Sequence, residues 1–217
     1  MTPLVVPEYR PTLPELVHAR GGRRALVAAG GLGLLALLLL AFVVLRPQDD
    51  SIDLLSNAEP APFNFRYTAG LERVAPEGDE LVRLEARRGD LFIQSFAVSP
   101  LRLPAYRGET SGSLPVFAAG EIEALRSRFA EFELVQDAKT RVNEVPGHVI
   151  LFRARLGKRR LYGRQVLLPE PLPGTRDGVR LLLLATPAGG VSRASEVGVR
   201  GVVKRPYRTF RFEAKAP

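Results

Sequence analysis

His148 is the residue best placed for acid–base chemistry in this chain of 217 residues. It follows a Pro-Gly pair at the start of a predicted strand, and the carboxylates of Asp137 and Glu144 lie close to it in sequence. A histidine paired with a carboxylate can activate a serine hydroxyl for hydrolysis. No Gly-x-Ser-x-Gly motif accompanies His148, and the Ser-Gly-Ser run at residues 111–113 is typical of a loop. A hydrolase that uses His148 is therefore an alternative to a non-enzymatic role.

Three arginines, Arg153, Arg155 and Arg164, form a second candidate site on a predicted β-hairpin. If residues 158–159 form the turn, Arg153 faces Arg164 across the hairpin and Arg155 faces Tyr162. Like charges directly opposite each other are destabilising unless water, a carboxylate or a bound anion lies between them. The pattern therefore predicts a solvated face, an ion-paired face or an anion-binding face at these three arginines.

The residue types exclude several other kinds of site. The chain has no cysteine and only two histidines, and His18 lies in the N-terminal tail. Thiolate and multi-histidine metal sites are therefore excluded, and we expect no metal, no cofactor and no catalytic set. Gly30, Gly31 and Gly33 lie within an apolar run, so they do not form a phosphate-binding loop.

That apolar run, residues 25–45, organises the chain. It holds 21 residues without a charged or polar side chain. A helix of that length is about 31 Å long, which matches the hydrocarbon core of a bilayer. The run therefore predicts a transmembrane helix. The alternatives are a cleaved signal peptide and a buried helix of a soluble protein. A signal peptide has a shorter apolar region and a small-x-small cleavage site, which is missing here.

The charges on the two flanks of the run predict its orientation. Arg20, Arg23 and Arg24 precede the run, whereas three aspartates lie between residues 49 and 53. Because positive flanks remain in the cytoplasm, we expect a cytoplasmic N-terminus and an extracytoplasmic C-terminal domain at the plasma membrane.

The same features divide the chain into four parts. These are a Pro-rich cytoplasmic tail (residues 1–24), the transmembrane helix (25–45), a linker (46–62) and an extracytoplasmic domain (63–217). Within the span, Ala25, Ala29 and Gly33 lie four residues apart on one face. Small residues at this spacing predict a helix-packing face, through which the chain could form an oligomer.

The pattern of the domain predicts an antiparallel sheet flanked by helices, an α+β fold. Apolar alternation and short apolar runs predict strands at residues 63–67, 81–86, 91–98, 134–142, 149–156, 161–168, 179–186 and 207–213. Ile122, Leu125 and Phe129 recur at helical spacing, so residues 118–130 are predicted to form an amphipathic helix. A shorter helix, interrupted by glycine, is predicted at residues 192–205.

The order of these elements resembles the PsbP-like domains. The resemblance rests on the opening Phe-x-Phe-x-Tyr at residues 63–67 and the closing Pro-Tyr-Arg-Thr-Phe-Arg-Phe at residues 206–212. It covers residues 63–213. The family has α/β/α sandwich folds and includes relatives of an extrinsic photosystem II subunit, of a Ran-binding transport factor, and bacterial envelope proteins. The resemblance implies an accessory or binding role, and because the family shares no catalytic set, it implies no site residues.

These observations predict a single-pass, membrane-anchored binding or accessory protein of the cell envelope. Its partners would be membrane lipid through the anchor and an envelope protein or anionic polymer through the domain. The net charge of +8 fits adhesion to an anionic surface or an ordinary solvated surface. Predicted export argues against nucleic-acid binding. The alternatives are an exported hydrolase that uses His148 and a subunit of a membrane complex oligomerised through its anchor.

Overall fold

The computed structural model describes residues 51–105, 107 and 110–213. The predicted tail and transmembrane helix, with its packing face of Ala25, Ala29 and Gly33, lie outside the described residues. Within the described ranges, no helix combines the length and apolar character that crossing a membrane requires. The anchor therefore stays a prediction.

The domain consists of nine strands and two α-helices in the described part of the chain. The strands are β1 Ser51–Ser56, β2 Phe63–Thr68, β3 Glu72–Val74, β4 Val82–Arg88, β5 Leu91–Arg102, β6 Ala130–Val142, β7 Val145–Leu156, β8 Arg159–Pro169 and β9 Asp177–Ala185. The helices are α1 Thr110–Arg128 and α2 Lys204–Thr209. Seven strands form one antiparallel sheet in the order β3-β4-β5-β9-β8-β7-β6, and β1 and β2 form a separate hairpin. The predicted antiparallel α+β architecture is confirmed.

The centre of the large sheet is β9, which lies between β5 and β8. Its four consecutive leucines alternate between the two faces, so that Leu181 and Leu183 enter one apolar core and Leu182 and Leu184 enter the other. A strand that is apolar on both faces must be covered on both faces. The sheet is accordingly the middle layer of three.

Helix α1 covers one face of the sheet. Leu114, Ala118, Ile122 and Leu125 recur at helical spacing and are buried against strands β7 and β8. Ile122 and Leu125 belong to the predicted stripe, whereas Phe129, its third residue, directly follows the helix. The helix begins at Thr110, eight residues before the predicted start.

The β1–β2 hairpin and the chain after β9 cover the opposite face. Phe63 and Phe65 of β2 stack with Phe210, with ring centroids 5.6 and 6.4 Å apart, and Phe65 packs edge-on against Phe96 of β5 at 5.0 Å. All four rings are fully buried. We call residues 187–213 the C-terminal segment.

Gln94 of β5 holds the C-terminal segment on the sheet. Its side-chain amide donates a hydrogen bond to the carbonyl of Gly189 (2.9 Å), and its side-chain oxygen accepts one from the backbone N–H of Val202 (2.9 Å). Because Gln94 is fully buried, these bonds satisfy polar atoms that would otherwise be costly to remove from water.

The C-terminal segment differs from its prediction. The helix predicted at residues 192–205 is a short 3₁₀ turn at Ala194–Glu196. The strand predicted at residues 207–213 begins inside α2, which ends at Thr209, and is reduced to one bridge between Arg211 and Asn64. Pro206, which directly follows the predicted helix, lies in the first turn of α2, where a missing N–H has no cost.

The segment predicted as a linker, residues 46–62, contains β1. All six residues of this strand pair with β2, from Ser51 opposite Thr68 to Ser56 opposite Phe63. Only Leu54 of β1 is buried, so the strand carries little apolar signal in its sequence. Residues 51–56 therefore belong to the folded domain.

Candidate functional site

The β7–β8 hairpin has a different register from the one that the sequence suggests. Gly157 has a φ of +59° and Leu156 pairs with Arg159, so Gly157 and Lys158 form the turn. A glycine at the first position of a two-residue turn is typical of the type II′ hairpin. The register consequently shifts by two residues, which keeps every side chain on its predicted face but changes its partner.

The arginines of the predicted face therefore have new neighbours. Arg153 lies opposite Tyr162, and Arg155 lies opposite Arg160, whereas Arg164 lies opposite Leu151. The expected pairing of Arg153 with Arg164 is wrong. A like-charged pair nevertheless remains in the hairpin, between Arg155 and Arg160.

Arg164 does not lie with the other two arginines of the predicted face. Its guanidinium donates hydrogen bonds to the carbonyl of Ser195 (2.9 Å) and to the hydroxyl of Tyr207 (3.3 Å), and it lies over the Tyr207 ring at 5.3 Å. These contacts attach the C-terminal segment to β8. Arg164 therefore has a structural role.

Arg153 and Arg155 line an open cleft of about 600 Å³, which we call the arginine cleft. It lies where β6, β7 and β8 meet the loop at residues 192–194. Its lining residues are Glu131, Glu133, Leu134, Val135, Arg153, Ala154, Arg155, Arg160, Leu161, Tyr162, Ser192, Arg193 and Ala194.

Two carboxylates of β6 pair with two of the arginines. Glu133 accepts a hydrogen bond from Arg153, and Glu131 accepts one from Arg155 at 2.6 Å. The hydrogen bond to Glu133 raises the pKa of Arg153. Both pairs are about half exposed, and exposed pairs stabilise a protein by about 0–1 kcal/mol.

The carboxylates are carried by an irregular piece of strand. β6 is an edge strand, and its pairing with β7 is interrupted by bulges between Ala130 and Glu133 and between Leu134 and Gln136. Glu131 has a φ of +49°, a left-handed conformation that a glutamate rarely adopts. Bulges twist an edge strand and redirect its side chains, here toward the arginines of β7.

The other two arginines of the cleft, Arg160 and Arg193, were not predicted. Arg160 is exposed and forms no ion pair within the described ranges. Arg193 lies 3.3 Å from a carboxylate oxygen of Glu196. Glu196 also accepts hydrogen bonds from the backbone N–H and the hydroxyl of Ser192, at 2.8 and 3.1 Å. The backbone hydrogen bond from Ser192 is the main reason that the pKa of Glu196 is lowered.

The charges of the lining residues do not cancel. Four guanidinium groups and two carboxylates line the cleft, which leaves two positive charges in excess. The walls also include the exposed apolar side chains of Leu134 and Val135, which are 38 and 48% exposed. The cleft thus combines an excess of positive charge with an apolar border.

His148, the alternative candidate, is buried in β7. Its Nε2 atom pairs with the carboxylate of Asp137 on β6, so the expected carboxylate partner is present. Its Nδ1 atom is buried too and, among the described residues, has no hydrogen-bond partner. A hydrolase of the serine type needs a hydroxyl at the imidazole, and no hydroxyl of the described chain is bonded to this one. Glu144, the other candidate partner, lies in the β6–β7 turn.

No protein-family model matches the chain, and no curated protein is similar to it in sequence. Among solved structures, the chain is similar to cyanobacterial PsbP from Synechocystis, at a TM-score of 0.46 and 10% identity, over 77% of this chain and 96% of that one. It is also similar to a Pseudomonas aeruginosa protein of unknown function, described as a candidate regulator, at a TM-score of 0.34 and 13% identity. That match covers 63% of this chain and 84% of the other.

Proposed function

We propose that this protein is a membrane-anchored accessory protein of the cell envelope, whose domain binds an anionic group of its partner in the arginine cleft. The observation that carries the proposal is the excess of guanidinium over carboxylate groups in one accessible cleft. Guanidinium groups bind carboxylate and phosphate groups through paired hydrogen bonds, which gives both affinity and orientation.

The pairing within the cleft supports this function. Arg160 has no competing carboxylate among the described residues, so an incoming anion does not have to displace one. Arg153 and Arg155 do have partners, but exposed ion pairs are weak and a ligand with two negative charges would compete with them at low cost. Such a ligand would also match the two excess positive charges.

The apolar border of the cleft indicates what else the partner presents. Leu134 and Val135 project at an edge strand, next to the charged groups. An anionic group attached to an apolar moiety or peptide would bury both side chains, whereas a free inorganic ion would bury neither. The burial of apolar area adds affinity at about 25 cal/mol per Å².

The location is proposed from residues 25–45 and their flanks. A retained span of this length, with arginines before it and aspartates after it, would hold the domain outside the cytoplasm. The PsbP-like resemblance of the sequence agrees with an accessory role. Protease added outside intact cells should degrade the domain, and the mature chain should begin before residue 25.

Binding by the cleft can be tested with the full chain in detergent. Calorimetric titration with polyphosphate, an anionic polymer, should show binding that weakens as salt is raised. Arg160→Ala should weaken the binding about 10- to 100-fold, because a hydrogen bond to a charged group contributes about 1.5–3 kcal/mol.

The matched control is Arg159→Ala. Arg159 is also exposed and adjacent in sequence, but it does not line the cleft. Its replacement removes the same charge and should change the affinity by less than about twofold, as expected for a solvated charge outside the site. Equal losses for the two variants, or no binding at low salt, would contradict the proposed role of the cleft.

A further inference from the structure

The C-terminal segment carries a second concentration of positive charge. Between residues 192 and 212 there are six basic side chains and one acidic one. The basic residues are Arg193, Arg200, Lys204, Arg205, Arg208 and Arg211. All of them after Arg193 lie outside the arginine cleft.

Two of these side chains lie on one side of α2. Lys204 and Arg208 are one turn apart, and both are exposed. Neither has an ion pair in the described part of the chain, in contrast to Arg200, which lies 3.4 Å from Glu196. Arg211 lies elsewhere, because it pairs with Asn64 near the start of β2 and lines a pocket together with Pro171. We call Lys204 and Arg208 the basic face.

The basic face lies where the chain enters the domain. Thr209 of α2 accepts a hydrogen bond from the N–H of Arg66 in β2 at 2.8 Å, and Asn64 pairs with Arg211 in antiparallel orientation. Going back along α2 from Thr209 therefore leads toward Thr68 at the end of β2. Ser51, the first residue of β1, pairs with Thr68.

The chain between the predicted anchor and β1 is short. Residues 46–50 are five residues, which can span at most about 18 Å when fully extended. A tether of this length would keep Ser51 within about 18 Å of the end of a span at residues 25–45. The basic face lies at the end of the domain that holds Ser51.

We propose that the basic face binds the anionic lipid headgroups of the membrane into which the chain is anchored. This inference rests on the anchor of the proposed function. Each lysine or arginine near an anionic leaflet strengthens the attraction about fivefold, and the attraction decays within a Debye length of about 10 Å. Docking would fix the orientation of the domain and, with it, the direction in which the arginine cleft opens.

The experiment uses the full chain in nanodiscs of phosphatidylcholine, with or without phosphatidylglycerol, and with spin-labelled lipid headgroups. The chain has no cysteine, so one introduced cysteine can be labelled with a fluorophore. Val199→Cys places the label at an exposed site beside α2, since the neighbouring Gly198 lies against Tyr207. Leu172→Cys places it at an exposed site in the β8–β9 loop, at the opposite end of β9 from Gln94 and its contact with Val202.

We expect the label at residue 199 to be quenched in nanodiscs that contain phosphatidylglycerol, and less so in high salt. The label at residue 172 should not be quenched. Replacing both Lys204 and Arg208 by alanine should lower the ratio of docked to undocked protein about 25-fold. The matched control replaces two exposed arginines of other elements, Arg141 beside the β6–β7 turn and Arg176 in the β8–β9 loop, and should leave the quenching unchanged.

Several results would overturn the inference. Equal quenching with and without phosphatidylglycerol would show that lipid charge is not recognised, and equal losses in the two double variants would show that the basic face is not specific. Quenching that soluble polyphosphate abolishes at constant ionic strength would assign the face to an anionic polymer instead. A chain that enters nanodiscs but shows no quenching refutes this inference alone, whereas a chain that does not enter them refutes the anchor as well.

Discussion

Replacing Gly163 by alanine should destabilise the domain, although alanine is normally the better residue in a strand. Gly163 lies in β8 directly opposite Phe152 of β7, whose ring covers it. A Cβ atom at residue 163 would lie 2.0 Å from the Cζ atom of Phe152 and 2.3 Å from its Cε1 atom. Carbon atoms in contact are normally about 3.5–4.0 Å apart. The ring would therefore have to move by about 1.5 Å, the difference between these distances.

Two neighbouring rings oppose this movement. Phe152 is fully buried, and the rings of Phe129 and Phe132 lie 5.2 and 5.3 Å from it. Overpacking of this kind costs about 1–3 kcal/mol. For a domain of this size, the melting temperature should fall by about 2–4 °C per kcal/mol. Movement of Phe132 would also disturb Glu131 and Glu133, so the arginine cleft should be affected.

A double-mutant cycle measures this clash directly. Phe152→Ala alone should cost about 3–5 kcal/mol through the cavity that it leaves. In the double variant the added methyl group no longer meets a ring, so the cost should be smaller than the sum of the two by about 1–3 kcal/mol. Thermal unfolding of the full chain in detergent, followed by circular dichroism, gives all four values.

The matched control is Gly120→Ala in α1. A Cβ atom at residue 120 meets nothing within 4 Å, and alanine stabilises a helix by about 1 kcal/mol relative to glycine. The same chemical change should therefore raise the melting temperature at residue 120 and lower it at residue 163. Strictly additive costs in the cycle, or an unchanged melting temperature for Gly163→Ala, would refute the packing argument.

Three further predictions concern other parts of the domain. Glu144 has a φ of +73° in the two-residue β6–β7 turn, so Glu144→Gly should stabilise the domain by about 1 kcal/mol in thermal unfolding. Gln94→Ala leaves a backbone N–H and a carbonyl of the C-terminal segment without partners, which should cost about 2–4 kcal/mol and accelerate hydrogen exchange at residues 187–213. Burial by itself raises the pKa of Glu85, but hydrogen bonds from Arg83 and Arg87 outweigh it and lower the pKa below its usual value. The stability from Glu85 should thus be complete above the unfolded-state pKa of about 4.3 and be lost as the pH falls through the folded-state pKa, and urea titrations of Glu85→Gln should show a weaker dependence in that range.

Much of the sheet could be predicted because its strands carry strong apolar patterns. The central position of β9 follows from four consecutive leucines, and the hairpin of β4 and β5 follows from the Gly89 turn between two apolar runs. The presence of helix α1 follows from the helical spacing of its apolar residues Ile122 and Leu125. In each of these elements, local pattern and tertiary burial agree.

The errors occurred where local pattern and tertiary structure disagree. Phe210 and Phe212 alternate as in a strand, but among the described residues only Arg211 forms a bridge. The residues before them form α2, because Pro206 fits in the first turn of that helix. β1 was missed because its pairing with β2, and not its burial, makes it a strand.

The candidate site was predicted only in part. Arg153 and Arg155 are on the predicted face and in the cleft, whereas Arg164 is turned into contacts with the C-terminal segment. The preference of a type II′ turn for glycine at its first position could have corrected the register and found Arg160. Arg193 comes from a loop after β9, and no local pattern indicates that it lies beside β7.

The packing of Phe210 on Phe63 has a consequence for how the protein is made. Phe210, near the end of the domain, packs on Phe63, near its beginning. The hydrogen bonds beside these rings join Arg66 and Thr209, which are 143 positions apart. Contacts this distant in the chain form late and slowly. During synthesis, Phe63 and the part of the sheet face that the C-terminal segment covers stay uncovered until residue 210 has emerged. Closure of this face is therefore delayed until residue 210 has left the ribosome, and a chain that stops before it would keep Phe63 without its partner ring.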